Sequence, residues 1–252
     1  MTKRLAPIIV ANWKMNGTLL ESMQFFKELR FRIQRSLVGC EIVLCPPFTL
    51  LRDFAEKTPG TGVRLGGQNC HHETEGAYTG EISARQLKDM TCEYVILGHS
   101  ERRLSGTEGS ELVQKKAKKA HEQGLSTIIC VGETQYERDN NLTRIVIREQ
   151  LLHSIPETAT EANTVIAYEP VWAIGSGITP TQDDILALHT YILDILRTEV
   201  PRLSQDTRII YGGSVTSENA KALLGIHNVG GLLVGKASLD PDHFWKIITA
   251  VE

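Results

Sequence analysis

The sequence predicts an α/β fold, a (β/α)8 barrel that forms one catalytic domain over residues 1–252. Eight short apolar runs recur along the chain, and their apolar residues do not alternate with polar ones. Such runs are typical of parallel strands that are covered on both faces. Helical stretches separate them, and eight strand–helix units fit a chain of 252 residues. The runs begin at Pro7, Glu41, Val63, Glu93, Ser126, Asn163, Thr207 and Val229.

The segments between the runs carry the signals of helices. Ser110 is expected to cap a helix that stops at Gly124, and Thr181 to cap one with acidic residues in its first turn. The lysine-rich run 115–119 is expected to be a solvated helix face. In the segment after Thr18, apolar residues repeat at the spacing of a helix, at Leu19, Met23, Phe26, Leu29 and Ile33.

One connection is unusual. Between the third and fourth runs a loop, "CHHETEGAYTGEI", precedes a single short helical segment, "SARQLKDM". A simple connector would be shorter. The alternative architecture is a doubly wound open sheet, but the pattern G-x-G-x-x-G does not open the first helix, where a dinucleotide-binding fold needs it.

Composition excludes several classes of function. The formal net charge of −3 argues against a generic binder of nucleic acid or of anionic membranes. Five cysteines without a C-x-x-C pair are expected to be reduced thiols in a cytoplasmic protein. The histidines form neither H-E-x-x-H nor H-x-x-E-H, so no metal site is expected. We also expect no secretory signal and no membrane span.

The carboxyl ends of barrel strands meet at one rim, where active sites form. Polar residues follow most of the predicted strands, and the last two strands end in glycine-bearing turns, which are typical of phosphate binding. The sequence therefore predicts a small phosphorylated substrate that faces a base, a hydrogen-bond donor and a cation. The strand-end residues are Asn12, Lys14, Gln68, Asn69, His99, Glu133, Glu169, Gly212, Gly213, Ser214, Gly235 and Lys236.

Five motifs resemble those of the triosephosphate isomerase family, in its order and at its spacing. They are "NWKMN", "GHSERR", "CVGET", "AYEPVWAIGSG" and "YGGS". The resemblance covers essentially the whole chain. It implies a glycolytic and gluconeogenic enzyme that interconverts dihydroxyacetone phosphate and glyceraldehyde 3-phosphate without a cofactor. An isomerase of a four-carbon ketose phosphate, and a barrel kept for binding alone, remain as alternatives.

The resemblance also implies roles for individual residues. Glu169 would be the base, His99 the electrophile, and Glu101 the partner of the lysine. The implied substrate contacts are Asn12, Lys14, Gly175, Ser214, Gly235 and Lys236. The implied lid consists of Pro170, Val171, Trp172, Ala173, Ile174, Gly175, Ser176 and Gly177. A homodimer is implied, in which the partner buries Met15 and Thr79.

These residue types suit the chemistry. A carboxylate can carry a proton between adjacent carbons if its pKa is raised, which a dry site under an apolar lid would do. A helix N-terminus at His99 would keep the imidazole neutral. Cys130, the first residue of the CVGET motif, is expected to be a small core residue without a nucleophilic role.

Two residues depart from the family pattern near the site. Lys236 stands where a glycine is usual. Pro180 stands where the family has the backbone N–H that bonds the tyrosine matching Tyr211, and proline has no N–H to donate.

Overall fold

Eight parallel strands close into a barrel in the computed structural model of the chain, which describes residues 6–173, 180–203 and 206–251. Each strand pairs with its neighbours in sequence, and the first pairs with the last. The predicted fold is confirmed, and all eight apolar runs contain a strand. The strands are β1 (Ile8–Asn12), β2 (Glu41–Cys45), β3 (Val63–Gly67), β4 (Tyr94–Leu97), β5 (Ser126–Val131), β6 (Thr164–Tyr168), β7 (Arg208–Tyr211) and β8 (Gly231–Val234).

Alternate residues of a strand point into two different buried layers. In β1, Ile8 and Val10 belong to the cluster that fills the barrel, whereas Ile9 and Ala11 belong to the layer between strands and helices. All four are fully buried. Because both layers exclude water, the strands read as continuous apolar runs.

Helices connect the strands, and four short 3₁₀ turns accompany them in the described ranges. The helices are α1 (Leu19–Ile33), α2 (Leu51–Lys57), α3 (Ala84–Asp89), α4 (Ser100–Leu104), α5 (Ser110–Glu122), α6 (Gln135–Asp139), α7 (Thr143–Ser154), α8 (Gln182–Glu199), α9 (Ala220–Leu224) and α10 (Pro241–Thr249). The 3₁₀ turns are Phe48–Leu50, Val171–Ala173, Pro201–Leu203 and Lys236–Ser238.

The predicted caps are confirmed in one case and wrong in another. Thr181 caps α8: its hydroxyl accepts the N–H of Asp184 at 3.1 Å, and the Asp184 carboxylate accepts the N–H of Thr181 at 3.2 Å. At α5 the N-cap is Gly109, which forms no side-chain bond. Ser110 instead accepts a bond from Arg103 at 3.0 Å, so its hydroxyl is used to fix an arginine.

The buried face of α1 contains only part of the apolar repeat that indicated this helix. Leu19 and Met23 are 55% and 46% exposed, whereas Phe25 is 3% exposed. The reason is aromatic packing, because the ring of Phe25 meets the ring of Trp13 edge-to-face at 4.9 Å. This contact rotates the helix so that Phe25, Phe26 and Leu29 face the barrel.

The run 115–119 was predicted to be solvated, and for Lys116 this prediction is wrong. Lys116 is 3% exposed, and its ammonium pairs with Glu108 and donates to Asn69 Oδ1 at 2.9 Å. It lies on the face of α5 that carries the buried residues Val113 and Ala117. Burial raises the pKa of Glu108, but Lys116 and Arg102 more than offset it, so this pKa lies below its usual value.

No helix within the described ranges is long and apolar enough to cross a membrane.

Candidate active site

Glu169 directly follows β6 and is only 3% exposed. Its backbone N–H donates to Val131 O of β5 at 2.8 Å, which fixes the strand end. Its carboxylate accepts the N–H of Ser100 at 2.9 Å and lies 3.0 Å from His99 Nε2. Burial raises the pKa of Glu169, yet His99 and the Ser100 N–H outweigh burial, so the pKa is lowered. The raised pKa expected from the sequence therefore requires the carboxylate to leave these contacts.

His99 lies at the N-terminus of α4, as predicted, and its Nδ1 accepts the N–H of Glu101 at 3.3 Å. An accepting Nδ1 places the proton of a neutral ring on Nε2, the nitrogen that faces Glu169. Burial lowers the pKa of His99, but the adjacent Glu169 carboxylate outweighs burial and raises it. The neutral imidazole expected from the helix N-terminus is therefore not favoured while Glu169 stays in contact.

Lys14 is held by the loop after β1. Its backbone is left-handed, with φ of 53°, and its N–H donates to Asn12 Oδ1 at 3.1 Å. Its ammonium pairs with Glu101 at 2.6 Å, as the resemblance implied. Gln68, which the sequence marked only as a strand-end residue, donates to the backbone oxygens of Lys14 and Cys45, both at 2.9 Å. Gln68 therefore joins the ends of three strands around this lysine.

The glycine-bearing turns after β7 and β8 lie beside these residues. A Cβ built on Gly235 would lie 3.6 Å from Lys14 Cε, and one built on Gly212 would lie 3.0 Å from Glu169 Cγ. The backbone N–H groups of Gly213, Ser214 and Gly235 form no hydrogen bond with other described residues. Unpaired N–H groups in glycine-bearing turns beside a cation suit a phosphate group.

The first half of the predicted lid is described, whereas Ile174, Gly175, Ser176 and Gly177 lie outside the described residues. Trp172 donates from Nε1 to Glu133 at 2.8 Å, and the Arg138 guanidinium lies 4.0 Å from the centre of the Trp172 ring. Tyr168 also donates to Glu133, at 3.2 Å. Burial raises the pKa of Glu133. Sequence reasoning marked Glu133 as a strand-end acid but did not connect it with the lid.

Other predicted residues also have observed surroundings. Ser214 donates to Ala173 O at 3.3 Å, which links the β7 turn to the lid. Cys130 lies in the cluster that fills the barrel, and burial raises the pKa of its thiol. Met15 is 96% exposed, and Thr79 is exposed as well. Within the described ranges, no group of three or more His, Cys, Asp or Glu side chains could hold a metal ion.

Comparisons with known proteins agree with this geometry. A family model described as triosephosphate isomerase matches residues 7–251. A triosephosphate isomerase of Xanthobacter flavus is 46% identical over 253 residues and 100% of both chains. One from Aquifex aeolicus is 44% identical over 96% of this chain and 98% of its own.

A solved structure extends the likeness to three dimensions. The crystal structure of triosephosphate isomerase from Bartonella henselae matches with a TM-score of 0.86 and 38% identity, over 98% of this chain and 99% of the other. The chain therefore belongs to the triosephosphate isomerase family, and it is an isomerase that interconverts dihydroxyacetone phosphate and D-glyceraldehyde 3-phosphate.

Proposed function

We propose that Glu169 is the base of this isomerisation and His99 its electrophile. The observation that carries the proposal is the 3.0 Å contact between the Glu169 carboxylate and His99 Nε2, on two buried side chains from different strand ends. Lys14 pairs with Glu101 on α4, the helix that begins at His99, and so brings a cation next to this pair. Asn12 holds the backbone of that lysine.

The reaction needs a Glu169 with a raised pKa and a neutral His99, and both follow when the substrate separates these two side chains. Once Glu169 leaves His99 and Ser100, burial remains and raises its pKa, as a base requires. Once His99 loses the carboxylate, burial and Lys14 both lower its pKa. The imidazole is then neutral and carries its proton on Nε2, where it can donate to the substrate oxygen.

The reaction itself needs one carboxylate and two donors. Glu169 removes a proton from the carbon beside the carbonyl, which leaves an enediolate, and returns it to the neighbouring carbon, while the hydroxyl proton passes to the former carbonyl oxygen. His99 Nε2–H and the Lys14 ammonium stabilise the oxygen that gains negative charge in between. Removing one such donor typically costs about 10²–10³ in rate.

The turns after β7 and β8 would bind the phosphate. The N–H groups of Gly213, Ser214 and Gly235, which have no hydrogen-bond partner among the described residues, support this role. The N–H of Lys236, first residue of a 3₁₀ turn, would add a further donor. In the lid, Pro170 to Gly177 would close over the substrate, with Gly175 contacting the phosphate.

We also propose a homodimer in the cytoplasm. The exposed residues Met15, Tyr78 and Thr79 support a partner surface, because a partner would remove the apolar side chains of Met15 and Tyr78 from water. Sedimentation at micromolar concentration should give about twice the 28.0 kDa mass of one chain. A fully active species of one chain would refute the dimer.

Kinetics of Glu169→Asp test the base. The shorter side chain withdraws the carboxylate by one methylene, so kcat in a coupled assay on dihydroxyacetone phosphate should fall by roughly 10²-fold, with a modest change in KM. Glu28→Asp, on the exposed side of α1, is the matched control and should be silent. If Glu169→Asp keeps more than half of its activity, Glu169 is not the base.

A further inference from the structure

The side chain of Gln150 holds one peptide group just beyond the end of β5. Gln150 lies on α7, outside the barrel. Its Oε1 accepts the N–H of Gly132 at 2.8 Å, and its Nε2 donates to Gly132 O at 3.0 Å. Gly132 forms no backbone–backbone hydrogen bond with other described residues. Both hydrogen bonds that hold this peptide group among the described residues therefore come from one glutamine amide.

Gly132 is in turn the residue over which the backbone of Glu169 passes. A Cβ built on Gly132 would overlap the carbonyl of Glu169, so the two backbones are in direct contact. Bonds on both sides continue the contact: Glu169 N–H donates to Val131 O at 2.8 Å, and Val171 N–H donates to Glu133 O at 3.1 Å. Residues 131–133 are thus the surface on which Glu169 and the start of the lid lie.

We propose that Gln150 is a positioning residue for Glu169, acting through the peptide of Gly132. The inference rests on the proposed role of Glu169 as the base. A base must meet its carbon within a fraction of an ångström, and a shift of about 1 Å can cost 10²-fold in rate. By fixing Gly132, Gln150 fixes the position and direction of the Glu169 backbone just after β6.

A cavity gives the segment space to move if this support is lost. It measures about 180 Å³ and is lined by Gly132, Gln150, Glu169 and Val171, among other residues. Packing against that side cannot replace the two hydrogen bonds. The phosphate turns after β7 and β8 lie on other strands, so we expect loss of this support to change substrate affinity less than it changes kcat.

Gln150→Leu is the first test, with Gln114→Leu as its matched control. Gln114 is a half-buried glutamine on α5 that also donates to a backbone carbonyl, that of Ile155 at 3.2 Å, but no hydrogen bond is found between it and residues 131–133. We expect Gln150→Leu to lower kcat about tenfold or more and to change KM by less than about twofold. Gln114→Leu should lower Tm by about as much as Gln150→Leu does, but it should leave kcat unchanged.

Gln150→Glu gives a readout that a merely structural role would not produce. The ionised carboxylate can accept from Gly132 but cannot donate to its carbonyl, whereas the protonated acid has one donor and one acceptor, like the amide. The ratio of variant to wild-type kcat should therefore rise as the pH falls towards the ordinary carboxyl pKa of about 4.3. Leucine at the same position should give a ratio that does not change with pH.

Each result decides the matter. A kcat for Gln150→Leu within about twofold of Gln114→Leu, with Glu169→Asp impaired, would overturn the role of Gln150 and leave the base assignment intact. A ratio for Gln150→Glu that is flat with pH would also overturn it. A fully active Glu169→Asp enzyme would refute the base assignment and, with it, this inference.

Discussion

Tyr211, the last residue of β7, has a buried hydroxyl without a hydrogen-bond partner among the described residues. Its side chain is fully buried, and the hydroxyl lies directly against Gly213. Pro180, where the family provides an N–H for this tyrosine, has none to donate. Tyr211→Phe therefore removes a polar atom that has no partner in the described ranges, and little else.

The size of the effect follows from desolvation. A buried polar group left unpaired costs about 1–3 kcal/mol, and the phenylalanine ring keeps the packing of the tyrosine ring. We expect the free energy of unfolding to rise by about 1 kcal/mol, which in a chain of this size raises Tm by about 2–4 °C. The kcat should stay within about threefold of wild type, because no bond between this hydroxyl and Pro180 is lost.

Thermal unfolding at one fixed protein concentration and a coupled assay measure the two quantities. Tyr168→Phe is the matched control, because Tyr168 pairs with Tyr211 in the sheet but donates to the buried Glu133. Loss of the bond to Glu133 in Tyr168→Phe should lower the free energy of unfolding by about 1–3 kcal/mol. Ser214→Ala, which removes the bond to Ala173 O, should impair binding or turnover clearly more than Tyr211→Phe does. If Tyr211→Phe lowers the free energy of unfolding by 1 kcal/mol or more, or lowers kcat tenfold, the reasoning is refuted and the hydroxyl must have a hydrogen-bond partner.

Three further predictions follow from charge and backbone strain. Thr91 has φ of 58°, so Thr91→Gly should stabilise the fold by about 1 kcal/mol in chemical unfolding, whereas Asn228→Gly, at φ of 66°, should give only a few tenths because asparagine tolerates this region. Lys116→Met should cost about 3–5 kcal/mol in the free energy of unfolding, because the buried Glu108 would keep only one paired cation, Arg102. Because the folded pKa of Glu108 is lowered, its contribution to stability is present above the unfolded pKa of about 4.3 and is lost as the pH falls through the folded value, and Glu108→Gln should remove that acid-side loss. Lys236→Gly should raise KM about two- to fivefold at low salt and much less at 0.5 M salt, because an exposed cation beside the proposed phosphate site acts through a field that salt screens; an unchanged KM would exclude this contribution.

Features that repeat along the chain could be predicted from the sequence. The strands were recognisable because burial on both faces makes them continuously apolar, and strand-end residues such as Lys14, His99 and Glu169 meet because parallel strands end at one rim. The triosephosphate isomerase motifs then related these positions to a known reaction.

Features that depend on one particular contact could not be predicted. Lys116 resembles its solvated neighbours in sequence, and only the buried Glu108 distinguishes it. The direction of the Glu169 pKa shift depends on whether the carboxylate contacts His99, which no pattern of residues reveals. The two hydrogen bonds of Gln150 join α7 to the segment after β5. A single glutamine on a helix gives no sign in the sequence that it forms such bonds.

The central claim is that the Glu169 carboxylate carries the substrate proton, and exchange from deuterated water tests it most directly. Dihydroxyacetone phosphate incubated with the enzyme in D₂O should acquire deuterium on carbon, which proton NMR can follow. The reason is that the carboxyl group formed when Glu169 takes the substrate proton can exchange that proton with solvent before it returns one to carbon. Glu169→Gln keeps the size of the side chain but cannot take up a proton, so deuterium incorporation should fall by about 10³-fold or more, with the fold unchanged by circular dichroism. Incorporation by Glu169→Gln within tenfold of wild type would contradict the account and assign the proton transfer to another group.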